Sequence, residues 1–200
     1  MKFIRPLSAP YYQIIEPICK PVLPLAAQFC SINKTFKTMG LSHLGIFHTV
    51  IGVVAIIAAV ISLIKSGKID LRQLTGKLYF YCTLIASLTA LGLSSVNGIN
   101  PGHILAWLIV VLISVAWFLH ARKQGNNRSR LIENFLLSFS FFLSLIPTVN
   151  ETFNRIPVGR PLANGPKDPL IGKTLLLLFV LFIVGSVLQF RKQRRINKAV

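Results

Sequence analysis

Residues Ser42 to Ile64 read SHLGIFHTVIGVVAIIAAVISLI, an apolar run without a single Asp, Glu, Lys or Arg. A helix needs about 20 such residues to cross the hydrocarbon core of a bilayer. The run closes on Lys65-Ser66-Gly67-Lys68, a charged turn signal. Four further stretches of similar length and character follow: Leu78 to Val96, Gly102 to Ala121, Leu131 to Val149 and Leu170 to Phe190. Asn97-Gly98-Ile99-Asn100 reads as a turn, and Asn100-Pro101 supplies an N-cap and a first-turn proline for the third stretch. The pattern predicts an all-α protein, an integral membrane helical bundle with five transmembrane helices.

Composition agrees. Apolar residues make up 53% of the chain, charged residues 14%, and mean hydropathy is +0.65. A soluble domain carries about a quarter of its residues as charges. Here the charges avoid the apolar runs and gather between them, as a bilayer requires. At 200 residues one domain is expected, with the spans packed as one bundle.

The net charge is +17, from 22 Lys+Arg against 5 Asp+Glu. In a soluble chain this excess would suggest nucleic acid. No nucleic-acid motif or basic-aromatic patch is present, and the cations sit in short loops beside apolar spans. Orientation and anionic lipid headgroups account for them there. Cys19, Cys30 and Cys82 have no metal-ligand spacing, so they read as unpaired small apolar residues, with a Cys19–Cys30 disulfide as the alternative.

Residues 1–41 are apolar but broken by Pro10, Pro17, Pro21 and Pro24, and they hold Glu16 and Lys20. Each proline removes a backbone donor and clashes one turn back, so a regular helix is disfavoured. The segment reads as interfacial or re-entrant; taken instead as a span, it would make six.

Loop charges give the orientation. Lys65, Lys68, Arg72 and Lys77 flank Asp70 between spans one and two, and the next loop has no charge. Arg122, Lys123, Arg128 and Arg130 precede span four, and residues 191–200 form a basic tail. The basic groups fall on one side, expected to be the cytoplasmic side of an inner (plasma) membrane. The N-terminus and the loop from Asn150 to Pro169 then lie outside.

Helical spacing gives the faces. His48, Gly52, Ala55, Ala59 and Ser62 form a small-residue stripe on span one, and Tyr79, Thr83, Ser87, Ala90 and Ser94 form one on span two. Small residues let membrane helices approach closely, so both stripes are expected to face the bundle. His103, Trp107, Val110, Ser114 and Trp117 share a face of span three, Asn134 and Ser138 stand one turn apart on span four, and span five looks largely lipid-facing.

The chain has four histidines, His43, His48, His103 and His120. His48 and His103, near the outer ends of spans one and three, could clamp one haem b iron axially. His43 is five residues from His48, about 140° around the helix, so the two cannot share a ligand. Span one has no inner histidine for a second haem. Glu133 lies at the start of span four on the inner side, where His120 also ends, so the two could form an intramembrane polar pair. Its position also suits the helix macrodipole, with Arg130 one turn away as an ion-pair partner. Arg155 and Arg160, in Arg155-Ile156-Pro157-Val158-Gly159-Arg160-Pro161, could hold an anion or a headgroup at the outer rim. The sequence has no phosphate-binding glycine loop, no metal-ligand cluster and no carboxylate placed to complete a serine triad. It therefore points away from an enzyme.

His48-Thr-Val-Ile-Gly52, Leu71-Arg72-Gln73-Leu74-Thr75-Gly76-Lys77-Leu78-Tyr79 and Gly102-His103 resemble motifs of a bacterial predicted-membrane-protein family, domain of unknown function 2306. The resemblance covers about Leu41 to Pro161. Members open the second span with His-Arg-x-x-Gly-x-x-Tyr; Arg72, Gly76 and Tyr79 match, and Leu71 stands where the histidine is expected. The resemblance implies the fold and the membrane location, without an activity.

The resulting expectation is a multi-pass inner-membrane protein with a binding or accessory role towards lipid or a partner subunit. A single-haem or quinone-linked redox protein using His48 and His103 is the alternative, and a small transporter using the polar stripes is a second.

Overall fold

The computed structural model describes residues 43–92, 101–122, 127–156 and 160–198. The N-terminal segment, Cys19 and Cys30, Ser94 and the Asn97–Asn100 turn lie outside them. Among the described residues the chain is all-helical, with helices α1 (His43–Ser66), α2 (Leu74–Gly92), α3 (Pro101–Arg122), α4 (Asn127–Arg155) and α5 (Pro169–Lys198). All five contain a stretch long and apolar enough to cross a membrane. This is a multi-pass membrane protein.

Each helix packs on the next in sequence, and α1 and α3 both lie on α2 while scarcely touching each other. The contacts set neighbours antiparallel. His48 near the start of α1 meets Ala86 and Thr89 near the end of α2. Phe80 near the start of α2 stacks on Trp117 near the end of α3, with ring centroids 4.9 Å apart. Ser138 of α4 meets Gln189 of α5, and Phe142 meets Phe179.

The small-residue stripe of α1 turns inward as spacing predicts, with Ala55, Ala59 and Ser62 buried. On α2, Tyr79, Thr83 and Ser87 are buried. The face of α3 is different. Its buried residues are Ala106, Ile109, Ile113 and Ala116, while Trp107 is 59% exposed, Ser114 is exposed, and Trp117 sits at the edge of the packing face against Phe80. Alanine lets α2 and α4 approach, whereas an indole on that side would hold them apart. α5 exposes nearly its whole apolar length, as expected of a lipid-facing span.

Three helices have ends that differ from those read off hydropathy. α2 starts at Leu74 because Gly76, which reads as a loop residue, sits inside its first turn. α4 starts at Asn127 and runs to Arg155, because Asn150 to Arg155 holds no breaker and Glu151 pairs with Arg155 one turn on. α5 continues through the basic tail to Lys198. Hydropathy marks where a helix leaves the hydrocarbon, not where its hydrogen bonding ends.

Candidate functional site: a charged cleft at the basic end of the bundle

The α1–α2 connection is built by local chemistry. Gly67, at φ +70°, ends α1 in the left-handed conformation that glycine adopts without strain, and its N–H donates to Leu63 O at 2.8 Å. Lys192 of α5 donates to the terminal carbonyl of Ser66 at 3.3 Å, tying the tail to this end of the bundle. Ile69 and Leu71 are fully buried and hold the turn down. Between them, Asp70 accepts from the Arg72 N–H at 3.0 Å and lies 3.4 Å from the Lys68 ammonium. Burial pushes the Asp70 carboxyl upward, but the Arg72 N–H and the Lys68 charge outweigh it and hold the group below the ordinary carboxylate value. Ser62 of α1 donates to Lys68 O at 3.1 Å and accepts from Asp70 N at 3.3 Å.

Gly76 is the contact point. A Cβ there would overlap the carbonyl of Asp70 and stand 3.0 Å from Leu71 N, so the turn rests directly on α2. One turn on, the buried Tyr79 hydroxyl meets Ser140 Oγ of α4 at 2.7 Å. Ser140 donates its own proton to Leu137 O at 2.8 Å, which makes Tyr79 the donor between them.

From the other side, His120 of α3 brings Nδ1 to 2.8 Å from Glu133 Oε1 of α4, with the side chains only 15% and 10% exposed. A carboxylate accepts only, so the imidazole N–H donates. Because α4 starts at Asn127, Glu133 lies in the second helical turn rather than at the dipole's end. It pairs with His120 and not with Arg130, the partner expected from spacing; Arg130's side chain makes no hydrogen bond or ion pair among the described residues. Asn134 donates to Gln193 of α5 at 3.3 Å, and both are buried.

Lys68, Asp70, Arg72, His120, Arg130, Glu133 and Asn134 together line one cleft of about 260 Å³ counting its open mouth. Its enclosed depth, about 10 Å³, has room for one water. Lys68, Asp70 and Arg72 join the pair expected from sequence; their charge was visible there, but nothing in the spacing links the α1–α2 turn to α3 and α4. Three cations against two committed carboxylates leave the cleft positive.

The other expected positions lie elsewhere. His48 is half-buried with Nδ1 2.9 Å from Ala86 O and 3.1 Å from Thr89 Oγ1. A carbonyl only accepts, so Nδ1 carries a proton and donates to it, which points Nε2 away from this bond. His103 is half-buried in the first turn of α3 and engaged in an interaction of its own. Arg155 is a helix residue joined to Glu151, and Arg160 is exposed beyond Pro157–Gly159, which lie outside the described residues. The chain after Arg160 folds back on α4, Ala163 N donating to Phe153 O at 3.0 Å and Gly165 N to Asn154 Oδ1 at 2.8 Å. Asp168 caps α5, accepting from Leu170 N at 2.9 Å and Asn164 N at 3.0 Å. Cys82 is a free thiol on α2, and no group of three or more His, Cys, Asp or Glu able to hold a metal occurs among the described residues.

No protein-family model matches the chain, and no curated protein or solved structure matches it.

Proposed function

We propose that this is a multi-pass protein of a bacterial inner membrane with a binding or accessory role, whose cytoplasmic basic end engages anionic lipid headgroups. The observation that carries the reading is the gathering of most of the described cations at one end of the bundle, with Arg155, Arg160, Lys167 and Lys173 at the other. Lys65 in the last turn of α1 and Lys68 after it, Arg72 and Lys77 at α2, Arg122 on α3, Arg128 and Arg130 on α4 and Arg191, Lys192, Arg194 and Arg195 on α5 all lie at the end where Lys192 meets Ser66. Basic residues retained on the cytoplasmic side set orientation, and the same charge attracts the anionic leaflet by about 1 kcal/mol per cation. The resemblance of the Arg72, Gly76 and Tyr79 motif to domain of unknown function 2306 supports the same location.

Two measurements test this. In a cysteine-free background, Lys198→Cys should be shielded from a membrane-impermeant thiol reagent in intact cells, and Lys167→Cys should be labelled. The reconstituted protein should melt higher in phosphatidylglycerol than in phosphatidylcholine bilayers, with the difference erased by salt. Labelling of Lys198→Cys from outside, or no lipid difference at low salt, would sink the reading.

A second reading is a one-haem redox protein using His48 and His103, favoured by one observation: the His48 Nδ1–H bond to Ala86 O orients the ring through Nδ1, as a backbone carbonyl does for a metal-bound imidazole. A Soret band lost on His48→Ala would support it; its absence after expression with ample haem would end it.

A further inference from the structure

We propose that the cleft bordered by Lys68, Arg72 and Arg130 is a discrete site for one phosphate-ester anion, held chiefly by the Arg130 guanidinium. This rests on the headgroup reading above and sharpens it from a diffuse attraction to a single place.

The argument begins with the carboxylates, which would repel an anion if left uncommitted. Asp70 is committed to the Lys68 ammonium at 3.4 Å and the Arg72 N–H at 3.0 Å, and Glu133 to the imidazole of His120 at 2.8 Å. Glu133 is three residues from Arg130 and the natural partner by spacing, yet its carboxylate is turned to α3. Arg130 is thus a half-buried cation on the cleft wall whose side chain has no hydrogen-bond or ion-pair partner among the described residues. A planar guanidinium fork matches two oxygens of a phosphate, which an ammonium does not.

Position agrees with the chemistry. The cleft is lined from the turn after α1, the last turn of α3 and the first two turns of α4. These are span ends, the level at which hydrocarbon gives way to phosphate headgroups. Arg72 is exposed and Arg130 is half-buried on the wall of the open cleft, whose enclosed depth of about 10 Å³ holds no more than a water, so the anion is taken at the mouth and not in the depth. The anion could be the phosphodiester of a lipid or inorganic phosphate from the aqueous side.

Native mass spectrometry of the full detergent-solubilised chain distinguishes these. In about 1 M salt, where attraction to scattered surface charge is screened, the wild type should retain one phosphatidylglycerol in preference to phosphatidylcholine. Arg130→Gln should weaken that retention about tenfold, and Arg130→Lys should restore it only in part. Arg195→Gln removes the same charge from the exposed tail, so its effect should be confined to low salt. Thermal melts report folding of each variant, and Arg72→Gln, at the exposed side, serves if Arg130→Gln does not fold. Phosphate binding with the same Arg130 dependence, in the absence of lipid selectivity, would assign the site to free phosphate. Equal effects of Arg130→Gln and Arg195→Gln at high salt would overturn the site and leave the diffuse reading standing. A wild type that neither selects phosphatidylglycerol at any salt nor binds phosphate would overturn both.

Discussion

Gly76, in the first turn of α2, is seated so closely on the carbonyl of Asp70 that one methyl group at its Cα would occupy the same space. That contact lays the charged turn against the bundle and brings Lys68, Asp70 and Arg72 to a cleft shared with α3 and α4. The overlap is with backbone, which cannot swing aside as a side chain can. Gly76→Ala is expected to destabilise the protein by about 3 kcal/mol. Gly185→Ala, with nothing within 4 Å of its Cβ, should gain up to about 1 kcal/mol from helix propensity. Thermal melts in detergent compare the two; equal melting temperatures would refute the close contact.

Tyr79 and Ser140 join α2 to α4 through one buried hydroxyl pair. Tyr79→Phe should cost about 1 kcal/mol, since it removes the donor and leaves Ser140 Oγ without it. The doubly substituted Tyr79→Phe, Ser140→Ala protein should be more stable than the sum of the single changes predicts. Strict additivity would show that the bond contributes nothing.

His120 and Glu133 tie α3 to α4 in the same way. Each alanine substitution should lower stability, Glu133→Ala by stranding the imidazole donor. A double-substitution cycle should yield a coupling of about 1–2 kcal/mol. The cycle also tests the pairing itself, because Arg130 and Glu133 should show little coupling. A larger Arg130–Glu133 term would reassign the carboxylate.

Asp70 gives an acid dependence with a definite sign. Its folded-state carboxyl is held below the ordinary 3.8 by the Arg72 N–H and Lys68, which outweigh burial. The stabilisation is therefore present above that value and is lost as pH falls through the lower, folded one. Asp168, held low by the N–H groups of Asn164 and Leu170, acts in the same direction. Stability should fall as the medium is acidified below about pH 4. Asp70→Asn should be less stable at neutral pH and lose less on acidification, as read by melting temperature across a pH series.

The sequence by itself determined the membrane class, five apolar helices, the lipid-facing character of α5 and the inward stripes of α1 and α2, because hydropathy and helical period are local properties. It also placed His120 and Glu133 on the same side by counting spans. It showed that His103, Trp107, Val110, Ser114 and Trp117 share a face of α3 but not which face packs, since only the neighbouring helices decide that Ala106 and Ala116 allow close approach. It read Gly76 as a loop residue, because whether a glycine ends a helix or admits a neighbour depends on what lies opposite. Pairing was likewise beyond it. Spacing within α4 favours Arg130 for Glu133, and only the antiparallel packing of α3 brings His120 to 2.8 Å and leaves Arg130 to face the cleft. Periodicity fixes which residues share a face of one helix, but the charge left over at a site depends on which partners the tertiary structure has already committed.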